Sequence, residues 1–213
     1  KSIISAVIVI SIVLSLFAGN YTVEALTTAD TGSINSLITY SQYKEKNSLT
    51  PDTEGKIALS VLNTAEKSAD VTLEKNIHKL GKDAIVIPDT GFVSWNFTAE
   101  RDCAYMLRIT YTAGAASGGN LEFKLELDGK IPFKEASLIS MRRSFTQGEG
   151  NFEVNVAGND IMPASTEIFS LKSYDVSDSS GYTGSPFVFS LKKGTHSLKF
   201  IGSRGKIAIT DVE

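Results

Sequence analysis

From about residue 55 onward, apolar side chains recur at every second position in one short segment after another. Successive side chains leave a strand on opposite sides, so this alternation is what a strand with one buried face requires. Val93, Trp95 and Phe97 alternate with Ser94, Asn96 and Thr98. Cys103, Tyr105, Leu107, Ile109 and Tyr111 alternate with Met106, Arg108 and Thr110, which predicts one strand long enough to cross a whole sandwich. Leu121, Phe123, Leu125 and Leu127 alternate with Glu122, Lys124 and Glu126, and Asp128-Gly129 then supplies the residues of a tight turn. Near the end, Phe187, Phe189 and Leu191 predict one strand, His196, Leu198 and Phe200 the next, and Ile207 with Ile209 the last. Gly194 and the stretch Gly202 to Gly205 are the expected turns between them.

No amphipathic helix intervenes between these segments. The pattern therefore predicts an all-β fold over residues 55–213, an antiparallel two-sheet β-sandwich. Trp95 is in phase with Val93 and Phe97 and is assigned to the core. The rhythm breaks between Arg142 and Pro186, where the chain is rich in Gly, Ser, Asp and Asn. A loop of about 40 residues is far longer than a compact domain usually carries without a use, so a binding surface is expected there.

Upstream the pattern changes twice. Residues 3–18 are almost wholly apolar. That run is shorter than the ~20 residues of a spanning helix, and Val23-Glu24-Ala25 offers small residues for a signal peptidase. Residues 1–25 are accordingly read as a signal peptide cleaved after Ala25, with an uncleaved N-terminal membrane anchor helix as the alternative. Residues 26–54 read as a polar spacer with a short helix between Ile34 and Glu45, ended by Leu49-Thr50-Pro51-Asp52-Thr53. The chain starts on Lys1 rather than Met and stops at Glu213 in a strand-like run, so it is read as the front part of an exported, extracellular or cell-surface protein.

Composition narrows the function classes. A 42% hydrophobic and 21% charged content is that of an ordinary globular protein. A net charge of -3 provides no cationic footprint for nucleic acid. The single cysteine, Cys103, excludes an intramolecular disulfide and a cysteine-built zinc site, and its apolar neighbours predict a small buried thiol.

Catalytic constellations are not evident. Only His78 and His196 exist. His196 lies in phase with Leu198 and Phe200 and reads as a half-buried structural residue, while His78 follows a polar stretch and is expected on the surface. No nucleophile elbow, phosphate loop or His-x-x-x-His pair is present. Glu122 and Glu126 share one strand face as a solvated charged surface. The chain is therefore expected to be no enzyme and to use no cofactor or catalytic metal. Sugar binding needs less: aromatic faces to stack on pyranose rings and a few planar groups to hydrogen-bond hydroxyls. Arg142, Tyr174 and Tyr182 are the expected ligand-binding residues, with Arg143 and Phe169 beside them. The alternative for Phe169 and one tyrosine is that they pin the long segment to the sandwich.

The segments Gly91-Phe92-Val93-Ser94-Trp95 and Cys103 to Tyr111 resemble paired strands of family 6 and family 35 carbohydrate-binding modules, which fold as jelly-roll sandwiches. Leu127 to Ala136, Gly158 to Ala164, Gly181-Tyr182-Thr183 and Lys193 to Leu198 together resemble the N-terminal sandwich domain of large extracellular solute-binding proteins of Gram-positive bacteria. Tyr40-Ser41-Gln42-Tyr43 fits the tyrosine-containing helix of such proteins, and the resemblance covers residues 36–213. It implies a carbohydrate partner, a following family 1 type binding-protein domain that meets an ABC sugar importer's permease, and membrane contact only through the N-terminal segment. The alternatives are an accessory module of a secreted glycoside hydrolase or lyase and a structural or adhesion sandwich. Family 6 and 35 modules often hold a structural calcium through acidic residues of their first strand. Ile57 to Leu62 carries no acidic residue.

Overall fold

The computed structural model describes residues 34, 36–47, 55–115, 119–147 and 153–213. The expected signal or anchor segment, residues 1–25, lies outside them. The chain divides into Lys1–Asn35, of which only Ile34 is described, and the compact unit Ser36–Glu213. Among the described residues no helix is long and apolar enough to cross a membrane.

Among its described residues the unit has one α-helix, α1 (Tyr40–Asn47), and sixteen strands. They are β1 (Glu66–Lys67), β2 (Thr72–Glu74), β3 (Ala84–Ile87), β4 (Phe92–Ala99), β5 (Cys103–Met106), β6 (Arg108–Ala113), β7 (Leu121–Leu127) and β8 (Ile139–Met141). After these come β9 (Ser144–Gln147), β10 (Glu153–Val154), β11 (Asp160–Ile161), β12 (Ser165–Ile168), β13 (Lys172–Asp175), β14 (Val188–Leu191), β15 (Gly194–Arg204) and β16 (Ile207–Val212). One five-stranded sheet runs β1-β4-β15-β7-β8 and a second runs β13-β6-β16-β3-β2, every pairing antiparallel.

Both sheets contribute to a single core. Val93, Trp95, Phe123, Leu125 and Phe200 of the first sheet join Ile85, Ile87, Ile109, Ile207 and Ile209 of the second, all at most 2% exposed. These are the alternating residues of each strand, so burial of one face per sheet makes the sandwich. Trp95 packs edge-on against Phe200 at 5.4 Å, and its Nε1 donates to the Ser60 carbonyl at 3.0 Å. On β3 all four residues are buried, because Ala84 and Val86 close a small second cluster with Ile77 and Ala208 on the outer side.

Helix α1 is built into this architecture. Tyr40 is 3% exposed and packs with Phe133 and Phe187 at 4.9 and 4.6 Å. The backbone N–H of Val188 donates to the Tyr40 hydroxyl (2.9 Å) and that of Ser190 to the Tyr43 hydroxyl (2.8 Å). Two tyrosines one helical turn apart thus occupy alternate N–H groups of β14, which protects a strand edge.

The structure departs from the sequence expectations at five places. The alternation from Cys103 to Tyr111 is unbroken, yet the strand divides at Leu107: β5 pairs with β14, and β6 joins the second sheet. The segment from Arg142 to Pro186 is not one loop, since it contains β9 to β13. Gly202 lies inside β15 rather than in a turn, where its backbone passes the Pro88 carbonyl too closely for any Cβ. His78 is half-buried rather than on the surface, its Nε2 2.7 Å from the Ala113 carbonyl oxygen and its ring stacked on Phe169 at 3.8 Å. Ile57 to Leu62, compared above with a first strand, forms no strand beyond the bridge of Leu59 to Val212. Among the described residues no group of three or more His, Cys, Asp or Glu is gathered.

Candidate functional site

A cleft lies beside the division at Leu107. There the chain exchanges β13 for β14 as its partner, with the Val176 N–H donating to the Leu107 carbonyl and the Phe187 N–H to the Val176 carbonyl between the two pairings. The inner positions Tyr105, Leu107, Phe189 and Leu191 then face a cleft of about 410 Å³. Phe97, Leu127 and Leu198 of the first sheet line it as well, with Ile57 and Leu59. The floor is therefore apolar and partly aromatic, in the size range of small-molecule sites.

Its rim is charged and paired. Arg108 opens β6 and Asp175 closes β13, and the register sets them opposite each other. The guanidinium donates twice to the carboxylate, Nε to Oδ1 at 2.6 Å and Nη2 to Oδ2 at 3.1 Å. Arg108 also exchanges both backbone hydrogen bonds with Glu213, at 2.9 Å each, which brings the Lys56–Glu213 ion pair (2.9 Å) to the same rim. The hydrogen bond from Arg108 holds the Asp175 carboxyl below its ordinary range, and Asp175 in turn raises Arg108. A fixed fork of this kind presents planar donor and acceptor edges to a ligand above an apolar floor.

A general acid needs a carboxyl lifted in pKa, and Asp175 is shifted the other way. No His, Cys or Ser lines the cleft among the described residues.

His196 stands just behind Phe97, ring centroids 5.7 Å apart. Its Nδ1 is 2.8 Å from Asp128 Oδ2 and its Nε2 2.7 Å from the Lys192 carbonyl oxygen. Both partners accept, so both ring nitrogens must carry hydrogen and the imidazolium is favoured. Burial pushes the pKa down, but the Lys192 carbonyl and the Asp128 carboxylate outweigh it and the net shift is upward. A pKa higher in the folded than the unfolded chain gives stability that is complete below about pH 6.5 and lost as pH rises through the raised value. The melting-temperature advantage of the wild type over His196→Gln should accordingly shrink between pH 6 and 9; a constant difference would contradict this role.

The residues expected from the sequence lie elsewhere. Arg142 is exposed, and its carbonyl accepts from the Tyr111 hydroxyl at 2.8 Å and from Lys172 Nζ at 3.2 Å. Tyr174 is half-buried on β13, packs against the core, and its hydroxyl donates to the Ser177 carbonyl at 3.1 Å. Tyr111, between these two, has its hydroxyl pushed up to about 12, chiefly by burial. Tyr182 is 95% exposed in a turn where Asp178 accepts from the N–H groups of Ser180 and Thr183. None of the three lines the cleft. Phe169, stacked on His78, pins its segment to the sandwich. Phe97, Tyr105, Arg108 and Asp175 were hidden in the sequence, because three of them belong to regular alternation and the fourth to the supposed loop.

No family model matches the chain, and no curated protein matches it in sequence. Among solved structures it is similar to a cycloisomaltooligosaccharide glucanotransferase of Paenibacillus sp. complexed with cycloisomaltoheptaose. The identity there is 12% and the TM-score 0.43, over 77% of this chain and 19% of that one, so the chain spans about a fifth of the enzyme's length. It is similar also to a family 35 carbohydrate-binding module of Clostridium thermocellum (10% identity, TM-score 0.40, 73% of this chain and 94% of that one). A family 35 module from an environmental isolate gives 11% identity and a TM-score of 0.44, over 74% and 91% of the two chains. Likeness this distant leaves the chain's own residues to carry the functional reading.

Proposed function

We propose that Ser36–Glu213 is a non-catalytic carbohydrate-binding module that holds its sugar in the cleft beneath β5 and β14. The observation that carries this reading is the pairing of an apolar, aromatic-bearing floor (Phe97, Tyr105, Phe189) with the Arg108–Asp175 fork at its rim. A pyranose presents an apolar face of C–H groups and an edge of hydroxyls, and each finds its complement there. In the finer reading, the module stands at the outer surface of a Gram-positive cell. It is exported by residues 1–25 and precedes a solute-binding domain that delivers sugar to an ABC permease; the motifs from Leu127 to Leu198 support that setting. Arg142, Tyr174 and Tyr182 would act from a second surface, of which Tyr182 is the most exposed member.

Calorimetric titration with a panel of gluco-, xylo-, manno- and galacto-oligosaccharides tests the proposal. For any sugar that binds, Tyr105→Ala and Arg108→Ala should each weaken affinity about tenfold, equivalent to roughly 1.4 kcal/mol, while Tyr182→Ala leaves it unchanged. Loss of binding in Tyr182→Ala alone would move the site to the 142–186 segment. Absence of binding across the panel would overturn the carbohydrate reading.

A further inference from the structure

Strands β9 and β12 pair with each other and β10 pairs with β11, so residues 144–147 and 153–168 form antiparallel ribbons separate from both five-stranded sheets. Their base is anchored. Arg143, its side chain 1% exposed, donates to Glu167 Oε1 at 2.6 Å and to the Ala115 carbonyl at 2.8 Å. The far turn is also well formed: Asn155 Oδ1 accepts from the N–H groups of Ala157 and Asn159, and Gly158 takes a φ of +81°.

What these ribbons expose is unusual for a solvated hairpin. Of the twelve large apolar or aromatic side chains exposed among the described residues, six lie here: Phe145, Val154, Val156, Ile161, Met162 and Ile168. Val156 is fully exposed and Met162 is 75% exposed. In the register Val154 faces Asp160 and Glu153 faces Ile161, so both faces of the outer ribbon carry apolar and acidic groups together. From Ser144 to Leu171 the sequence contains four acidic residues and no Lys or Arg; Glu167 is neutralised by Arg143 at the base, which leaves Glu149, Glu153 and Asp160 to give the arm its negative charge. Apolar side chains in water at this density mark an interaction surface, and the strand edges are open to a further strand.

Charge chooses the occupant. Two copies of the ribbon would bring like charges together, and an anionic lipid surface would repel it. We propose that the ribbon is a docking arm for a second protein whose contacting surface is an apolar groove rimmed by lysine or arginine.

The test uses the chain with three probes: a 12-residue peptide alternating lysine and valine, its glutamate-for-lysine counterpart, and vesicles of phosphatidylcholine with and without phosphatidylglycerol. The lysine peptide should bind, as read by fluorescence anisotropy. Its affinity should fall at least tenfold in the double variant Val156→Ser with Met162→Ser, and again at high salt. Both substitutions are on exposed side chains, and an unchanged melting temperature verifies the fold. Equal binding by the variant, equal binding of the glutamate peptide, flotation with either vesicle, or a sedimenting dimer that the double variant abolishes would each overturn the proposal.

Discussion

Gly202→Ala should destabilise the sandwich by about 4 kcal/mol or more, at the extreme of what a single substitution does. A Cβ at this position would overlap the Pro88 carbonyl oxygen and stand 3.0 Å from its carbon and 3.3 Å from Asp89 Cα. All three are backbone atoms, so no rotamer change relieves the contact. The approach is fixed from both directions: Gly202 N–H donates to the Gly91 carbonyl at 2.8 Å, and Gly91 N–H donates to Pro88 at 3.1 Å. To make room, β15 must part from the 88–91 turn, although β15 is the strand that joins β4 to β7. Gly129→Ala is the control, because that residue has a φ of +72° with nothing within 4 Å of a Cβ. It should cost only the left-handed backbone penalty of roughly 1–2 kcal/mol. Denaturant unfolding of both variants measures the contrast; equal losses would mean that the close approach does not exist in solution.

Glu167→Ala ranks second. The Arg143 and Glu167 side chains are 1% and 9% exposed, so removing the carboxylate strands a charge away from water. Breaking a buried pair in this way costs about 3–5 kcal/mol, whereas replacing both partners by apolar groups of similar size is often close to neutral. The double variant Arg143→Met with Glu167→Leu should therefore unfold near the wild type while Glu167→Ala does not. Because this pair fastens β12 to the body of the protein, the single variant should also become cleavable by protease within residues 144–168. If single and double variants lose the same stability, the pair is not the anchor.

The fold was legible where one physical requirement acted alone. Strands β4, β7 and β15 each turn an alternating apolar set toward a shared core, and alternation reports that directly. The tight turn at Asp128-Gly129, with φ of +53° and +72°, was equally plain because few residues accept those angles. Legibility failed where pairing partners decide the outcome. Nothing in Cys103 to Tyr111 marks Leu107 as the point of division, because Leu107 stays buried and in phase while the strand changes partners. The candidate cleft lies beside that division, lined by residues of unbroken alternation, so it was hidden as well. Strands β9 to β12 escaped notice because their exposed ribbons lack the apolar-in, polar-out signature of a sheet packed on a core, and β13 because its four residues, Lys172 to Asp175, carry one large apolar side chain, Tyr174. Gly202 resembled a turn glycine because a close approach between distant backbones leaves the same mark in a sequence as a turn.

The most direct test of the central claim is amide chemical-shift mapping of the isotope-labelled chain titrated with the oligosaccharide panel. The account predicts that at least one sugar produces saturable shifts centred on Phe97, Tyr105 to Arg108, Asp175 and Phe189. Shifts confined to the surroundings of Arg142, Tyr174 and Tyr182, or no shifts with any sugar, would contradict it.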